Sequence, residues 1–414
     1  MRPGYKLTDL GEIPVDWGAP QLSDLFDFSG GHSASRDQLG THGVCYLHYG
    51  DIHKAHLPYL DVTLQRETMP KLPIALTDVS RSALLDHGDI VFVDASEDVE
   101  GTSKFVVVEN PNRTPVISGL HTIVAKPRHR ALSPIYQRFC FQTAAVRRQF
   151  RFYAVGTKVV GVSKSSIRKI RVLVPPAAEQ DAIAEVLADI DSHVAAVAAS
   201  LAKKRAIKQG AMQALLTGAK RLPGFSDAWE VARLGRVAEI AVGRTPPRSI
   251  ESCWGSGFVW LTIGDLQGKR VSQSKEQITP SAASSMQIVK AGTLMMSFKL
   301  SIGRLCFAGC DLFTNEAICS FTSLRANAEF LYHALARTDF SLYGKQAVKG
   351  YTLNQESLRL IEVALPPPDE QAAIAEVLAD MDADIDATTA KLAKARAIKQ
   401  GMMQELLSGR IRLL

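Results

Sequence analysis

Several patterns that would assign a class at once are missing from this sequence of 414 residues. There is no uninterrupted run of 18 apolar residues, and the first six residues lack the apolar stretch of a signal peptide. We therefore expect a cytoplasmic protein that is neither secreted nor membrane-bound. The composition, 46% hydrophobic and 22% charged, favours folded cores over disorder. At roughly 150 residues per domain, the length predicts two or three folded units.

Metal-binding and nucleotide-hydrolysing signatures are also absent. The chain contains no P-loop, no His-Glu-x-x-His and no Cys-x-x-Cys. The histidine cluster at positions 42, 48, 53 and 56 is better explained as loop or interface residues than as metal ligands. We expect no metal site, and we expect the six cysteines to be reduced and buried: Cys45, Cys140, Cys253, Cys306, Cys310 and Cys319.

What the sequence does contain is an internal repeat. Residues 179–222 align without gaps to residues 370–413 at an offset of 191, and 29 of the 44 positions are identical. Each copy follows a run of prolines and carries acidic residues at its start, which is typical of a helix N-terminus. The repeat therefore predicts two equivalent helical segments.

The rest of the chain repeats more faintly. Gly50-Asp51 corresponds to Gly264-Asp265, and the turn at Gly88 corresponds to that at Gly292. Short β-type runs at 90–93, 105–108 and 122–125, followed by helical patterns at 134–150 and 328–342, predict mixed α/β (α+β) globular regions. The predicted order is a globular region at 1–172, a helical segment at 173–222, a second globular region at 223–362 and a second helical segment at 363–414.

Apolar residues in each helical segment recur in alternating steps of four and three. This seven-residue period predicts helices over 179–217 and 370–408, roughly 58 Å long at 1.5 Å per residue, that pair as a coiled coil. The alternative is a long amphipathic helix packed only on its own domain. The predicted seam consists of Ile183, Leu187, Ile190, Val194, Val197 and Leu201 in the first helix, and of Ile374, Leu378, Met381, Ile385, Thr388 and Leu392 in the second.

Charge predicts the direction of this pairing. The first segment has five acidic and no basic residues over 179–191, and six basic and no acidic residues over 203–222. The second segment has the same polarity. Parallel pairing would oppose like charges, so the pattern predicts an antiparallel pair that acts as a spacer. Such a pair relates the two globular regions by a pseudo-twofold axis, which suits two half-sites on double-stranded DNA.

The sequence resembles the specificity subunit of type I restriction-modification systems. The entry segment with Tyr5-Lys6, Gly11-Glu12-Ile13-Pro14 and Trp17 is similar to that family's start. The paired glycines Gly88 and Gly101, repeated as Gly292 and Gly303, are similar to a pattern in that family's target-recognition domains. The Pro-Pro-x-x-Glu-Gln-x-x-Ile-Ala strings near 175–184 and 367–375 resemble the start of its conserved helices. The motifs recur twice, in order, over essentially the whole chain.

The resemblance implies two target-recognition domains that read the halves of a bipartite, asymmetric DNA sequence. It also implies that the helices separate these domains and dock two modification (methyltransferase) subunits, with restriction (translocase-nuclease) subunits as a further possible partner. S-adenosylmethionine, ATP and Mg are then expected on partner subunits, and this chain would bind no cofactor and perform no catalysis.

Basic residues concentrate on the globular regions and supply candidate DNA contacts. Lysine and arginine bind phosphates, and arginine also pairs with guanine edges. For each residue the alternative is a solvated surface charge, or core packing in the case of the tyrosine. The candidates are Lys158, Arg128, Arg130, Arg147, Arg148, Arg151, Tyr49 and His48 in the first region, and Lys299, Arg304, Lys345 and Lys349 in the second.

Two other functions remain open at this stage. A single-chain DNA methyltransferase should carry an Asn-Pro-Pro-aromatic motif, and the nearest string here, Thr245-Pro246-Pro247-Arg248, lacks both the asparagine and the aromatic residue. A non-catalytic coiled-coil scaffold would explain the helices. It would not explain two globular regions that share a skeleton and diverge elsewhere.

Overall fold

The computed structural model describes residues 2–347 and 350–413. The chain forms two compact units, Met1–Val197 with Lys391–Leu414, and Ala198–Ala390. Each unit contains one predicted globular region and portions of both long helices. The boundaries near 172, 222 and 363 stay a prediction, because the compact units divide the long helices between them.

The strands of the first unit are β1 Tyr5–Thr8, β2 Gly11–Pro14, β3 Phe26–Gly30, β4 Val44–Leu47, β5 Tyr59–Asp61, β6 Lys71–Leu72, β7 Ile90–Val93, β8 Ala95–Ser96, β9 Phe105–Glu109, β10 Val116–Ser118, β11 Thr122–Pro127 and β12 Val160–Gly161. Its helices are α1 Leu22–Leu25, α2 Tyr49–Lys54, α3 Val62–Gln65, α4 Pro134–Cys140, α5 Ala144–Tyr153 and α6 Lys164–Ile167. The long helix α7, Ala177–Leu215, follows and continues into the second unit.

A five-stranded sheet forms the centre of the first unit. Its order is β3-β11-β7-β9-β5, with β5 parallel to β9 and the other neighbours antiparallel. The central strand β7 is buried on both faces: Ile90 and Phe92 enter one core, while Val91 and Val93 enter another. The three β-type runs predicted from the sequence are confirmed as β7, β9 and β11.

The strands of the second unit are β13 Glu230–Arg233, β14 Glu239–Val242, β15 Trp254–Leu261, β16 Arg270–Val271, β17 Glu276–Ile278, β18 Leu294–Ser297, β19 Leu305–Ala308, β20 Phe313–Thr314, β21 Ile318–Thr322, β22 Lys345–Ala347, β23 Gly350–Thr352 and β24 Glu362–Leu365. Its helices are α8 Leu234–Val237, α9 Pro280–Ala283, α10 Ala328–Ala336, α11 Gln355–Leu360 and the long α12 Pro368–Leu406.

The two units share one sheet topology. The five-stranded sheet of the second unit runs β14-β21-β18-β19-β16, and only the β16–β19 pair is parallel, as for β5–β9 in the first. The three-stranded sheets β10-β4-β6 and β20-β15-β17 also match, each with one parallel and one antiparallel pair. The predicted mixed α/β skeleton, repeated twice, is therefore confirmed.

Two local expectations need correction. The helix predicted over 134–150 is split after Cys140, because Thr143 starts a new helix by accepting a hydrogen bond from the Val146 N–H at 3.2 Å. The pattern at 328–342 likewise stops as an α-helix at Ala336. All six cysteines are free thiols as expected, yet Cys253 and Cys310 are only half-buried.

Both long helices contain 39 residues, as predicted, but begin two residues earlier than expected. Proline is accommodated in a first helical turn, so Pro368 opens α12. Gly409 adopts a left-handed φ of 72° just beyond the end of α12. There the Arg410 N–H donates to the Glu405 carbonyl at 3.0 Å, which closes the helix end.

The helices pair antiparallel, as the charge pattern predicts. In the first unit Asp191 of α7 forms an ion pair with Lys399 of α12. In the second unit the equivalent ion pair has its lysine on α7 and its aspartate on α12, and it joins Lys208 to Asp382. Lys204, nearer the middle of α7, bonds Asp384 at 2.6 Å. Partner numbers thus rise on one helix as they fall on the other.

The side chains of the predicted seven-residue seam are buried most completely near the start of each long helix. Ile183, Leu187, Ile374 and Leu378 are at most 1% exposed, because they join the cores of the globular regions as well as the facing helix. The seam is buried or half-buried along its whole length, including Ile190, Val194, Val197, Leu201, Met381, Ile385 and Leu392.

Each globular region is fastened to the helices by a tryptophan–glutamate–arginine contact, which we call the terminal clamp. In the first unit the Trp17 indole N–H donates to Glu179 at 2.8 Å, and Arg412 donates to both Glu179 oxygens at 2.6 and 2.8 Å. Trp229, Glu370 and Arg221 repeat the arrangement in the second unit. The clamp joins the start of one long helix to the segment that follows the other.

A second contact between region and helices lies around His333 of α10. This side chain is 1% exposed, and neither ring nitrogen has a hydrogen-bond partner among the described residues. Its Nε2 lies 3.8 Å from Asp382. Burial lowers the pKa of His333 to about 4, helped by Lys208 and Lys269 and opposed by Asp382 and Glu329. His333 is therefore neutral at pH 7.

This burial predicts acid sensitivity. The unfolded chain protonates its histidine near pH 6.5, so the neutral burial of His333 costs stability progressively as the pH falls from about 6.5 to about 4. His333→Leu should reduce the loss of unfolding free energy between pH 7 and pH 4.5 by on the order of 2 kcal/mol. Urea denaturation at both pH values measures this, and an identical loss in both proteins would contradict the prediction.

Candidate nucleic-acid interface

Four of the six basic residues predicted in the first region lie on α5 or on the loop after it. Val146 and Phe150 face the core of the unit, so Arg147, Arg148 and Arg151 lie on the exposed side. Arg151 forms an ion pair with Glu100 at 2.7 Å. The guanidinium groups of Arg147 and Arg148 are exposed, and this face of the helix is therefore suited to an anionic ligand.

Lys158 lies at the tip of a tight loop that follows α5. Val155 and Gly161 exchange two backbone hydrogen bonds at 3.0 and 2.8 Å and close the base of this loop. Gly156 has a φ of 134°, and a Cβ there would lie 2.0 Å from the Val159 carbonyl oxygen, so only glycine fits. The loop thus has a defined base, and Lys158 is exposed beyond it.

Arg128 and Arg130 follow β11. Arg128 bonds Asp27 at 2.8 Å, so part of its charge is already balanced within the chain. Arg130 is exposed. Among the described residues, no hydrogen bond or ion pair links Arg128 or Arg130 to α5.

His48 and Tyr49 have structural roles. His48 is 8% exposed, and its Nδ1 accepts a hydrogen bond from the Gly50 N–H at 3.1 Å, which caps α2. Burial lowers the pKa of His48, with Arg36 and His121 acting in the same direction. The half-buried Tyr49 ring packs against His48 and His121, with ring centroids 4.5 and 5.4 Å away.

In the second region the candidates are more scattered. Lys299 is half-buried after β18, and Arg304 is exposed before β19, with its Nη1 3.4 Å from the Ile263 carbonyl oxygen. Lys345 begins β22, which pairs with β23. Lys349 lies outside the described residues.

Sequence reasoning missed the apolar side chains beside the basic ones. Phe152 is 80% exposed, Val155 77% and Val159 61%, all next to the predicted arginines and lysine. The four-residue spacing of Arg148 and Phe152 on one helix face was the available signal. It was hidden because a phenylalanine in a helical pattern is ordinarily assigned to the core.

Within the described part of the chain, no three His, Cys, Asp or Glu side chains come together as metal ligands would. Among the same residues, every helix is too short or too polar to cross a bilayer.

Comparisons of sequence and fold relate the chain to known proteins. A family model described as "Type I restriction modification DNA specificity domain" matches residues 226–397. The putative type I restriction enzyme MjaX specificity subunit of Methanocaldococcus jannaschii is 22% identical over 99% of this chain and 97% of its own length. The chain is thus similar to type I restriction-modification specificity subunits over nearly its whole length, and residues 226–397 match their DNA specificity domain.

A second relative and a solved structure are also similar to the chain. The MjaIX specificity subunit of the same organism is 29% identical over 37% of this chain and 38% of its own length. The crystal structure of the type I S subunit from M. genitalium shares the fold with a TM-score of 0.58, at 12% identity over 98% of this chain and 99% of that one. The family model and the relatives indicate a DNA sequence-specificity subunit, and they do not favour the methyltransferase and scaffold alternatives.

Proposed function

We propose that each globular region reads one half of a bipartite, asymmetric DNA target and that the paired helices dock two modification subunits. The observation that carries the proposal is the contrast between the repeats. The two regions share strand order and direction, yet their exposed residues differ, whereas the helices are identical at 29 of 44 aligned positions. Two differing surfaces suit two sequences, and two matching helices suit two copies of one partner.

The partner subunits would supply the chemistry in this proposal. S-adenosylmethionine, ATP and Mg belong on modification and restriction subunits, and this chain acts as a non-catalytic recognition subunit. Purified protein assayed alone for methyl transfer and ATP hydrolysis should be inactive, and should support methylation only after a modification subunit is added. Methyl transfer by the chain alone would refute this assignment.

The bipartite target is tested in the host genome. Single-molecule sequencing of modified bases should show methylated adenines in a two-part motif that disappears when the gene is deleted. Exchanging the region 223–362 for that of a related subunit should change one half of the motif and leave the other half unchanged. A motif unaffected by deletion, or altered in both halves by the exchange, would contradict the proposal.

Lys158→Ala should weaken binding to target and non-target duplexes alike, because we assign its ammonium group to a phosphate contact, which carries no sequence information. The slope of log affinity against log salt should become shallower by about 0.9, the value for one phosphate contact. Lys290→Ala is the matched control, since Lys290 is exposed but already paired with Asp311 at 2.8 Å. A Lys158 variant that relaxes specificity at a single base pair would instead identify a base contact.

A further inference from the structure

The exposed end of α5 combines large apolar side chains with basic ones. Phe152, Val155 and Val159 expose large apolar side chains, and Arg147, Arg148 and Lys158 are exposed beside them in the chain. We call these six residues the first-region ridge. Phe150, two positions before Phe152, is 0% exposed and lies on the core-facing side of α5, whereas Phe152 lies on another side of the helix.

Leaving a phenylalanine in water has a cost. Burial of such a side chain is worth about 1.5–3 kcal/mol, and the ring of Phe152 contacts only the neighbouring Tyr153 ring among the aromatic pairs of the described residues. The positions of Arg148 and Phe152, four residues apart on α5, place a cation and an apolar ring on the same side of the helix. An anionic ligand that also offers apolar surface would match this side of the helix.

Double-stranded DNA satisfies both requirements. Its phosphates bind exposed arginine and lysine, and its grooves present apolar groups such as the thymine methyl and base steps that apolar side chains can enter. The only acidic partner described on the exposed face of α5 is Glu100, which pairs with Arg151 and leaves Arg147 and Arg148 available. Charge complementarity thus favours DNA over a basic or neutral surface.

We propose that Phe152, supported by Val155 and Val159, contacts the bases of the half-site read by the first region, while Arg147, Arg148 and Lys158 bind the flanking phosphates. The inference rests on the proposed function, because it assigns the base-contacting residues of that same interface. It places sequence reading partly on apolar side chains that a search for basic residues does not find.

The test measures binding of the chain, assembled with its modification subunits, to a duplex that carries the methylation motif found in the host. Phe152→Ala should weaken binding about tenfold, the loss of one stacking or methyl contact, and Phe152→Leu should lose less. The salt slope should stay unchanged in Phe152→Ala, whereas Arg148→Ala should make it shallower by about 0.9. Leu64→Ala is the matched control, since Leu64 in α3 is also 80% exposed.

Three results separate the possibilities. If Phe152→Ala binds the duplex as tightly as the unmodified protein, the ridge does not contact bases and the inference fails. If the variant instead loses the modification subunits while its DNA affinity is unchanged, the ridge is a protein-docking surface and the inference also fails. If the unmodified complex does not bind its motif at all, the proposed function itself fails. Thermal unfolding of Phe152→Ala should match that of the unmodified protein, because the ring is exposed.

Discussion

Replacing Arg412 with alanine should lower the free energy of unfolding by about 3 kcal/mol, because the Glu179 carboxylate would remain buried without its cation. Glu179 is 2% exposed and accepts two hydrogen bonds from Arg412 and one from the Trp17 indole. The hydrogen bonds that Arg412 donates to Glu179, and a further one to Asp16, raise the pKa of the arginine, so it is charged at pH 7. Urea denaturation measures the loss.

A control lies two residues earlier in the same segment. Arg410 is 53% exposed and pairs with Glu405 at 3.2 Å, so Arg410→Ala should change stability by less than about 1 kcal/mol. Hydrogen exchange should locate the Arg412 effect at Trp17 and at the start of α7. In the second unit, Arg221→Ala should act in the same direction around Trp229 and Glu370. Equal effects of Arg410 and Arg412 would contradict the clamp.

Leu378→Ala should destabilise the protein by about 2–5 kcal/mol, since it removes buried methyl groups and leaves a cavity. Leu378 is 0% exposed and packs in a core with Leu215, Phe330 and Ile374. The seam therefore predicts that a single truncation on α12 loosens both the helix pair and the globular region packed on it. Chemical denaturation of the full chain measures this change.

The same helix provides the comparison. Ile398 is 45% exposed, off the seam, and Ile398→Ala should stay within about 0.5 kcal/mol. On α7 the corresponding comparison is Leu187, 0% exposed, against Ile207, 52% exposed. If the exposed and buried positions of either helix were equally sensitive, the pairing along a seven-residue seam would be wrong.

Much of the helical part was predictable because its signals, the apolar period and the charge pattern, lie in the order of residues along the chain. The seven-residue period of 183–201 and 374–392 places the seam, and the acidic and basic ends determine the direction of pairing. The start of each helix was missed by two residues, since proline before the first acidic residue is compatible with the first turn. The split after Cys140 was missed because apolar periodicity continues across Thr143 even though that residue caps a new helix.

The candidate interface was only partly predictable. Lys158, Arg147 and Arg148 could be nominated from charge alone, and they lie exposed on α5 and its loop. His48 was also nominated as a DNA contact from the sequence, but its Nδ1 caps α2 and its side chain is buried. Phe152 was not nominated from the sequence, because only the packed unit shows that its ring faces water.

By itself, the sequence determined the duplication, the two long helices, their antiparallel direction and the family resemblance. Each of these follows from identity, period or charge along the chain, which packing does not alter. Only the tertiary structure decided that both regions share one strand order, that Trp17 and Arg412 meet at Glu179, and that Phe152 is exposed. These depend on residues far apart in the chain, up to 395 positions for Trp17 and Arg412, and contact at that separation is set by how the whole core packs.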